Sequence, residues 1–140
     1  MNNYKVIYFI NNRYYYTNDI NKFINNKEIN KITRLRLNNV NIRELPENLD
    51  NIKELIILHC NNINEIQENN KLKKLIIHYC ESLYNISNKF NELEELDIFK
   101  TNIINIPNTY KKIKILKIDY NININNFPEE YYDIILNDYI

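Results

Sequence analysis

The chain has 140 residues, with 18 Lys+Arg against 18 Asp+Glu and a formal net charge of zero. That length suits one domain; the lack of a basic excess argues against nucleic acid as a partner, and the lack of an acidic run against a disordered tail. Mean hydropathy is −0.54 although 44% of residues are hydrophobic, because 30 asparagines rather than charges carry the polarity. Gly is absent, so tight turns must place other residues at positive φ, where Asn is the least penalised. Asn-Asn pairs at 11–12, 25–26, 38–39, 61–62, 69–70 and 125–126 fall where turns are wanted.

Residues 4–16 hold two β-favouring runs, Tyr4–Ile10 and Arg13–Tyr16, around the Asn11-Asn12 link. That pattern predicts a hairpin with a primed two-residue turn. Thr17-Asn18-Asp19 offers N-cap residues, and Ile20, Phe23 and Ile24 follow at helical spacing, so a short helix is expected near 19–26. Residues 1–31 read as an N-terminal cap of hairpin plus short helix. An aromatic binding face is the alternative reading of the hairpin.

From Ile32 the chain repeats the pattern apolar-x-x-apolar-x-apolar. It runs Ile32–Leu35–Leu37, Ile52–Leu55–Ile57, Leu72–Leu75–Ile77, Leu93–Leu96–Ile98 and Ile113–Leu116–Ile118, with starts 20, 20, 21 and 20 residues apart. A fixed period near 20 marks a solenoid in which each unit is one coil. The residues at repeat positions 4 and 6 share one side of a strand because strand period is two, so they should fill a common core. The return half of each coil runs through Ile42 and Leu45, Ile63 and Ile66, Leu83 and Ile86, Ile103 and Ile106, Ile124 and Phe127, with Pro46, Pro107 and Pro128 after three of these pairs. Repeat two lacks an apolar residue matching Leu49, Phe90 and Tyr110, so its outer turn should be the loosest. Residues 132–140 close the far end. Pro128-Glu129-Glu130 favours a helix start, whereas Ile134–Leu136 stands where a sixth strand would begin. A closing element using Tyr131, Ile134, Ile135 and Tyr139 is expected.

Over residues 32–131 this pattern resembles the leucine-rich repeat (LRR), in a short form of about five 20–21-residue units. The resemblance implies an α/β-type solenoid: an arc with a concave parallel sheet and an irregular or 3-10 convex side. Position 9, which in that family is Asn or Cys serving the turn backbone from inside, reads Val40, Cys60, Cys80, Thr101 and Asn121. A regular Asn ladder at that position is therefore not expected. The composition, rich in Asn, Ile, Lys and Tyr, is like that of an AT-rich large DNA virus or parasite, and such genomic bias is the favoured source of the asparagines.

Chemistry-bearing groupings are scarce. His59-Cys60 and His78-Tyr79-Cys80 suggest zinc or a thiol nucleophile, but in the repeat frame the thiols point inward and the imidazoles do not. No metal or other cofactor is expected, and without Gly there is no phosphate-cradling loop. Glu94, Glu95 and Asp97, and likewise Glu129 and Glu130, read as solvated strand or helix ends rather than an acid–base pair. The protein is not expected to be an enzyme. Val6–Ile10 is too short for a signal peptide, and no run approaches a membrane span. The expected location is thus intracellular, in the cytoplasm, with no membrane partner and with the sequon Asn85-Ile86-Ser87 fortuitous.

The LRR resemblance places the binding face on the outward strand positions 3, 5 and 7, with position 8 beside them. The residues carried over as the candidate site are Arg34, Arg36, Ile56, Leu58, Ile76, His78, Tyr79, Asp97 and Phe99. They form an apolar centre with charges around it, the anatomy of a protein interface. Packing of the apolar groups on neighbouring strands is the plainer reading. The function expected is non-enzymatic binding of a protein partner on the concave sheet. The alternative is a self-associating structural protein, a homodimer.

Overall fold

In the computed structural model, which describes residues 4–123 and 129–136, the aliphatic triplets stand in line behind one sheet. The strands are β1 (Val6–Ile10), β2 (Arg13–Thr17), β3 (Arg34–Asn38), β4 (Glu54–Leu58), β5 (Glu65–Ile66), β6 (Lys74–Cys80), β7 (Asn85–Ile86), β8 (Glu95–Thr101), β9 (Ile115–Ile118) and β10 (Ile135–Leu136). The main sheet has eight strands in the order β10-β9-β8-β6-β4-β3-β1-β2. From β3 to β10 every pairing is parallel, and the register aligns Leu35, Leu55, Leu75, Leu96 and Leu116, then Leu37, Ile57, Ile77, Ile98 and Ile118. All ten are buried. A spacing of 20–21 residues thus brings the same face of each strand over the last, and the coils share one continuous core.

The fold is a solenoid of about four turns with a parallel β-sheet and very little helix. Of the expected architecture, the solenoid and its parallel sheet are present. The one α-helix among the described residues is α1 (Ile20–Ile24), capped by Asp19, whose carboxylate accepts from the Asn21 and Lys22 amides. The return side is largely irregular, with short paired stretches. There Ile63, Ile66, Leu83, Ile86, Ile103 and Ile106 are buried, while Ile42 and Leu45 are partly so. β5 and β7 pair in parallel, and Asn105 bridges Asn123. Return segments in the same phase at the same period bring their amides to ladder distance. The 3-10 turns lie instead at Ile29–Lys31 and Glu129–Ile134. The expectations for Ile124, the Asn125-Asn126 pair, Phe127, Pro128 and Tyr139 fall outside the described residues.

At the N-terminus, Asn11 and Asn12 both take positive φ (50° and 62°), which gives the primed turn, and Ile10 pairs with Arg13 across it. β1 then pairs antiparallel with β3, so the hairpin prolongs the sheet. Its inward residues Val6 and Ile10, with Phe23 and Ile29, complete the core at that end. At the other end both expectations combine: the 3-10 turn leads into β10, which adds to β9, and the Tyr131 hydroxyl donates to the Tyr110 carbonyl at 2.5 Å.

Asparagine does more than fill turns. Asn51 Nδ2 donates to the Asn30 carbonyl at 2.6 Å, Asn69 Nδ2 to the Leu49 carbonyl at 3.1 Å, and Asn61 Oδ1 accepts from the Glu81 amide at 3.3 Å. Asn62 bonds Asn41, and Asn102 the Glu81 carbonyl, in the same manner. Each link spans 20 or 21 residues, so asparagines tie equivalent turns of successive coils. At position 9 the ladder is mixed. Cys60 and Cys80 are buried free thiols bonded to the Leu58 and His78 carbonyls (3.3 Å each), and Thr101 Oγ1 accepts from the Ile103 amide at 3.2 Å. In repeat two Asn69 stands where an apolar side chain is missing. A cleft of about 260 Å³ opens there, lined by Leu45, Leu49, Ile66, Asn69 and Phe90 among others.

Candidate functional site

Alternation along each strand sends the residues between the core positions to the outer face of the sheet. Register then arranges them in rows. One row runs Tyr16, Ile7, Arg36, Ile56, Ile76, Asp97, Lys117; a second runs Tyr14, Phe9, Arg34, Glu54, Lys74, Glu95, Ile115; a third runs Asn38, Leu58, His78, Phe99. Eight of the nine sequence-derived candidates therefore share this face, with Ile56, Leu58, Ile76, His78 and Phe99 half-buried and Arg34 and Arg36 exposed.

The ninth, Tyr79, belongs to a turn that sequence reasoning did not foresee. Position 8 takes the left-handed conformation in four coils: Asn39 (φ 52°), His59 (53°), Tyr79 (56°) and Lys100 (54°). That twist turns position 8 outward and allows position 9 inward. The position-8 amides continue the ladder: Asn39 donates to the Leu58 carbonyl at 2.9 Å and His59 to the His78 carbonyl at 3.0 Å. Past the end of β9 a side chain replaces the carbonyl, and Asp119 Oδ2 accepts from the Lys100 amide at 3.0 Å. Asp119 is consequently buried.

Asp97 departs from expectation. It is 6% exposed, and its Oδ1 lies 2.8 Å from His78 Nε2. Two candidate residues are thus fixed against each other under the face. The other acidic residues take cations from neighbouring coils: Glu95 from Lys74 (3.4 Å), Glu94 from Lys114 (3.0 Å) and Lys73 (3.9 Å). The hydrogen bond and charge of Lys114 hold the Glu94 carboxyl below its ordinary range. These carboxylates face separate partners, and exposed pairs of this kind add little stability. Among the described residues no three His, Cys, Asp or Glu side chains gather as a metal site.

Rings collect where the strands end. His59 stacks on Tyr79 at 4.7 Å, Phe99 lies edge-on to both Tyr79 (5.4 Å) and His78 (5.9 Å), and Lys100 Nζ sits 5.5 Å from the Phe99 centroid. A second aromatic zone, which the candidate set omitted, comes from the hairpin. Phe9 packs on Tyr14 at 4.8 Å, Arg34 lies over the Phe9 ring at 5.0 Å and donates to the Tyr14 hydroxyl at 3.1 Å. A hollow of about 290 Å³ opens on the face there, bounded by Ile7, Tyr14, Tyr16, Arg36, Glu54 and Ile56 among others. The alternation in Val6–Ile10 already put Ile7 and Phe9 opposite Val6 and Ile10. What sequence did not reveal is that β1 joins β3 and thereby brings them onto this face.

No helix among the described residues is long and apolar enough to cross a membrane. No protein-family model, curated protein or solved structure matches the chain.

Proposed function

We propose that this chain is a non-enzymatic, LRR-type protein-binding module that grips a protein partner on the outer face of its sheet. The observation that carries the reading is the left-handed turn at position 8. A residue other than Gly or Asn in that conformation carries a penalty of about 1–2 kcal/mol. Coil one uses Asn39 there, and the chain is rich in Asn throughout, yet coils two to four keep His59, Tyr79 and Lys100. Their side chains are exposed and border Leu58, His78 and Phe99. Strain kept at exposed positions beside an apolar patch fits binding better than packing alone. The 20–21-residue period, the aligned Leu ranks and the inward thiols at position 9 support the LRR assignment. Two buried free thiols suit an intracellular, reducing setting, and the composition suits an interaction factor of a virus or parasite.

Affinity capture from an extract of the cells in which the protein acts tests the reading. Ile56→Asp with Phe99→Ser removes two apolar contacts from the face without touching the inward ranks. Captured partner should fall more than tenfold while the melting temperature drops by only a few degrees. Undiminished capture by the double variant would move the site off this face. A companion measurement separates strain from packing. Lys100→Asn should relieve the left-handed penalty at the loss of one exposed cation–π contact of about 0.5 kcal/mol. The net gain of about 0.5–1 kcal/mol should raise the melting temperature by about 2–4 °C. A drop in melting temperature would show that position 8 carries no strain worth relieving.

A further inference from the structure

The eight-stranded sheet ends on β2, and among the described residues no strand lies beyond it. Arg13–Tyr16 is exposed and Thr17 half-buried, with Tyr14, Tyr15 and Tyr16 at 49%, 41% and 52%. It has no Pro, no Lys and no bulge, the usual protections of a sheet edge. We infer that two copies of this chain pair through β2, antiparallel about a two-fold axis at Tyr15, so that two eight-stranded sheets become one.

Hydrogen-bond phase, side chains and charge all suit that pairing. In a two-residue hairpin the closing pair, here Ile10 and Arg13, exchanges both of its backbone bonds, and the pairs alternate from there. Tyr14 and Tyr16, opposite Phe9 and Ile7, therefore turn their N–H and C=O groups away from β1. The bond from the Thr33 amide to the Phe9 carbonyl (3.1 Å) fits this phase, since it directs Phe9 towards β3. An axis at Tyr15 places Tyr14 of one copy opposite Tyr16 of the second, and these are the residues whose backbone groups are open. Four hydrogen bonds result.

The strand Arg-Tyr-Tyr-Tyr-Thr is also nearly symmetric about its centre. Tyrosine meets tyrosine on both faces, an arrangement in which cross-strand aromatic pairs stabilise a sheet. Its charged residue, Arg13, falls opposite Thr17 of the second copy, about 14 Å along the strand from the other Arg13. It comes beside the turn that carries the Asp19 carboxylate, so each end of the pairing joins opposite charges. Because the axis is perpendicular to the sheet, both outer faces end on the same side. The contact is small, so the dimer should populate at micromolar concentration and above. This goes beyond the face-binding reading and stands or falls without it.

Sedimentation of the full chain over a micromolar-to-millimolar series should show monomer passing to dimer. Tyr16→Pro removes an outward N–H that β1 does not use, and Tyr15→Lys places two like charges on the axis. Each should raise the dissociation constant at least tenfold with the monomer still folded. A cross-link fixes the register independently. Tyr15 would face its own copy in a non-hydrogen-bonded pair, with Cα atoms about 4.5 Å apart. That lies within disulfide reach, whereas the two Tyr14 Cα atoms would be too far apart. Tyr15→Cys treated with diamide should therefore form a covalent dimer at least ten times faster than Tyr14→Cys. A wild-type monomer throughout the series, a dimer indifferent to both edge variants, or equal cross-linking at 14 and 15 would overturn the inference. The first of these outcomes would leave the edge to a strand from a different protein.

Discussion

Removing residues 1–31 should abolish cooperative folding and leave an aggregating chain. The first coil of a solenoid has one unstacked side, and here that side is closed by Val6, Ile10, Phe23 and Ile29, each 8% exposed or less. At about 1.5–3 kcal/mol per buried side chain, these four contribute roughly 6–12 kcal/mol, as much as the whole stability of an ordinary domain. The truncation also strips β1 from β3. The chain would then present a five-residue edge backed by Leu35 and Leu37, an invitation to pair with other chains. Circular dichroism melts and light scattering on the 32–140 fragment check this: no sigmoidal transition and a rising scattered intensity are expected. A monomer with a cooperative melt would mean that the coils support one another without the cap. Phe23→Ala in the full chain is the milder version. It removes one fully buried ring and should lower stability by about 3–5 kcal/mol, with folding still cooperative.

The parts of this fold that were legible in sequence are those set by period alone. Leu35 and Leu37 recur at 20 or 21 residues in the same phase, and no competing pattern places them elsewhere, so the aligned ranks were foreseeable. The hairpin was legible because Asn-Asn between two β-favouring runs is a local signal. The union of β1 with β3 was not. It is set by which edge the chain meets after the turn and helix of residues 18–31, and no local pattern encodes that meeting.

The candidate face was legible row by row but not across rows. Asp97 lies opposite Ile76, and His78 lies opposite Phe99, so the bond between Asp97 and His78 runs on a diagonal that a strand-by-strand reading passes over. The left-handed turn left a trace that could have been used. Leu37 and Val40, Ile57 and Cys60, Ile77 and Cys80 are inward residues three apart, where an unbroken strand would need an even step. The asparagine ladder was concealed by composition. With 30 asparagines in 140 residues, genomic bias offered a sufficient account, and the 20–21-residue spacing of Asn30 and Asn51, or Asn41 and Asn62, did not stand out against it.

The second large effect is alkaline unfolding. Burial pushes the Cys60 thiol up from its ordinary value and the Cys80 thiol up to about 11, and it pushes the Tyr110 phenol well above the usual tyrosine range. All three folded-state values are raised, so the stability they contribute is fully present below the unfolded values, near pH 9 for the thiols and 10 for the phenol. It is lost as pH rises through the folded values. The cause common to all three is burial, which disfavours the charged form; in the protonated form Cys60 and Cys80 donate to strand carbonyls and Tyr110 to the Ser87 carbonyl at 2.5 Å. While a group is ionised only in the unfolded chain, each such group lowers stability by about 1.4 kcal/mol per pH unit. Cys80 should therefore remove about 1 kcal/mol between pH 9.5 and 10.5, Cys60 should add to the fall, and Tyr110 should steepen it above that. Urea midpoints at pH 8, 9, 10 and 11 measure the slope. Replacing both thiols by Ala should flatten the portion around pH 10, and Tyr110→Phe the portion above it, each from a lower starting stability. If the wild-type midpoint held constant from pH 8 to 11, the inward thiols could not be the protonated donors that hold the position-9 turns.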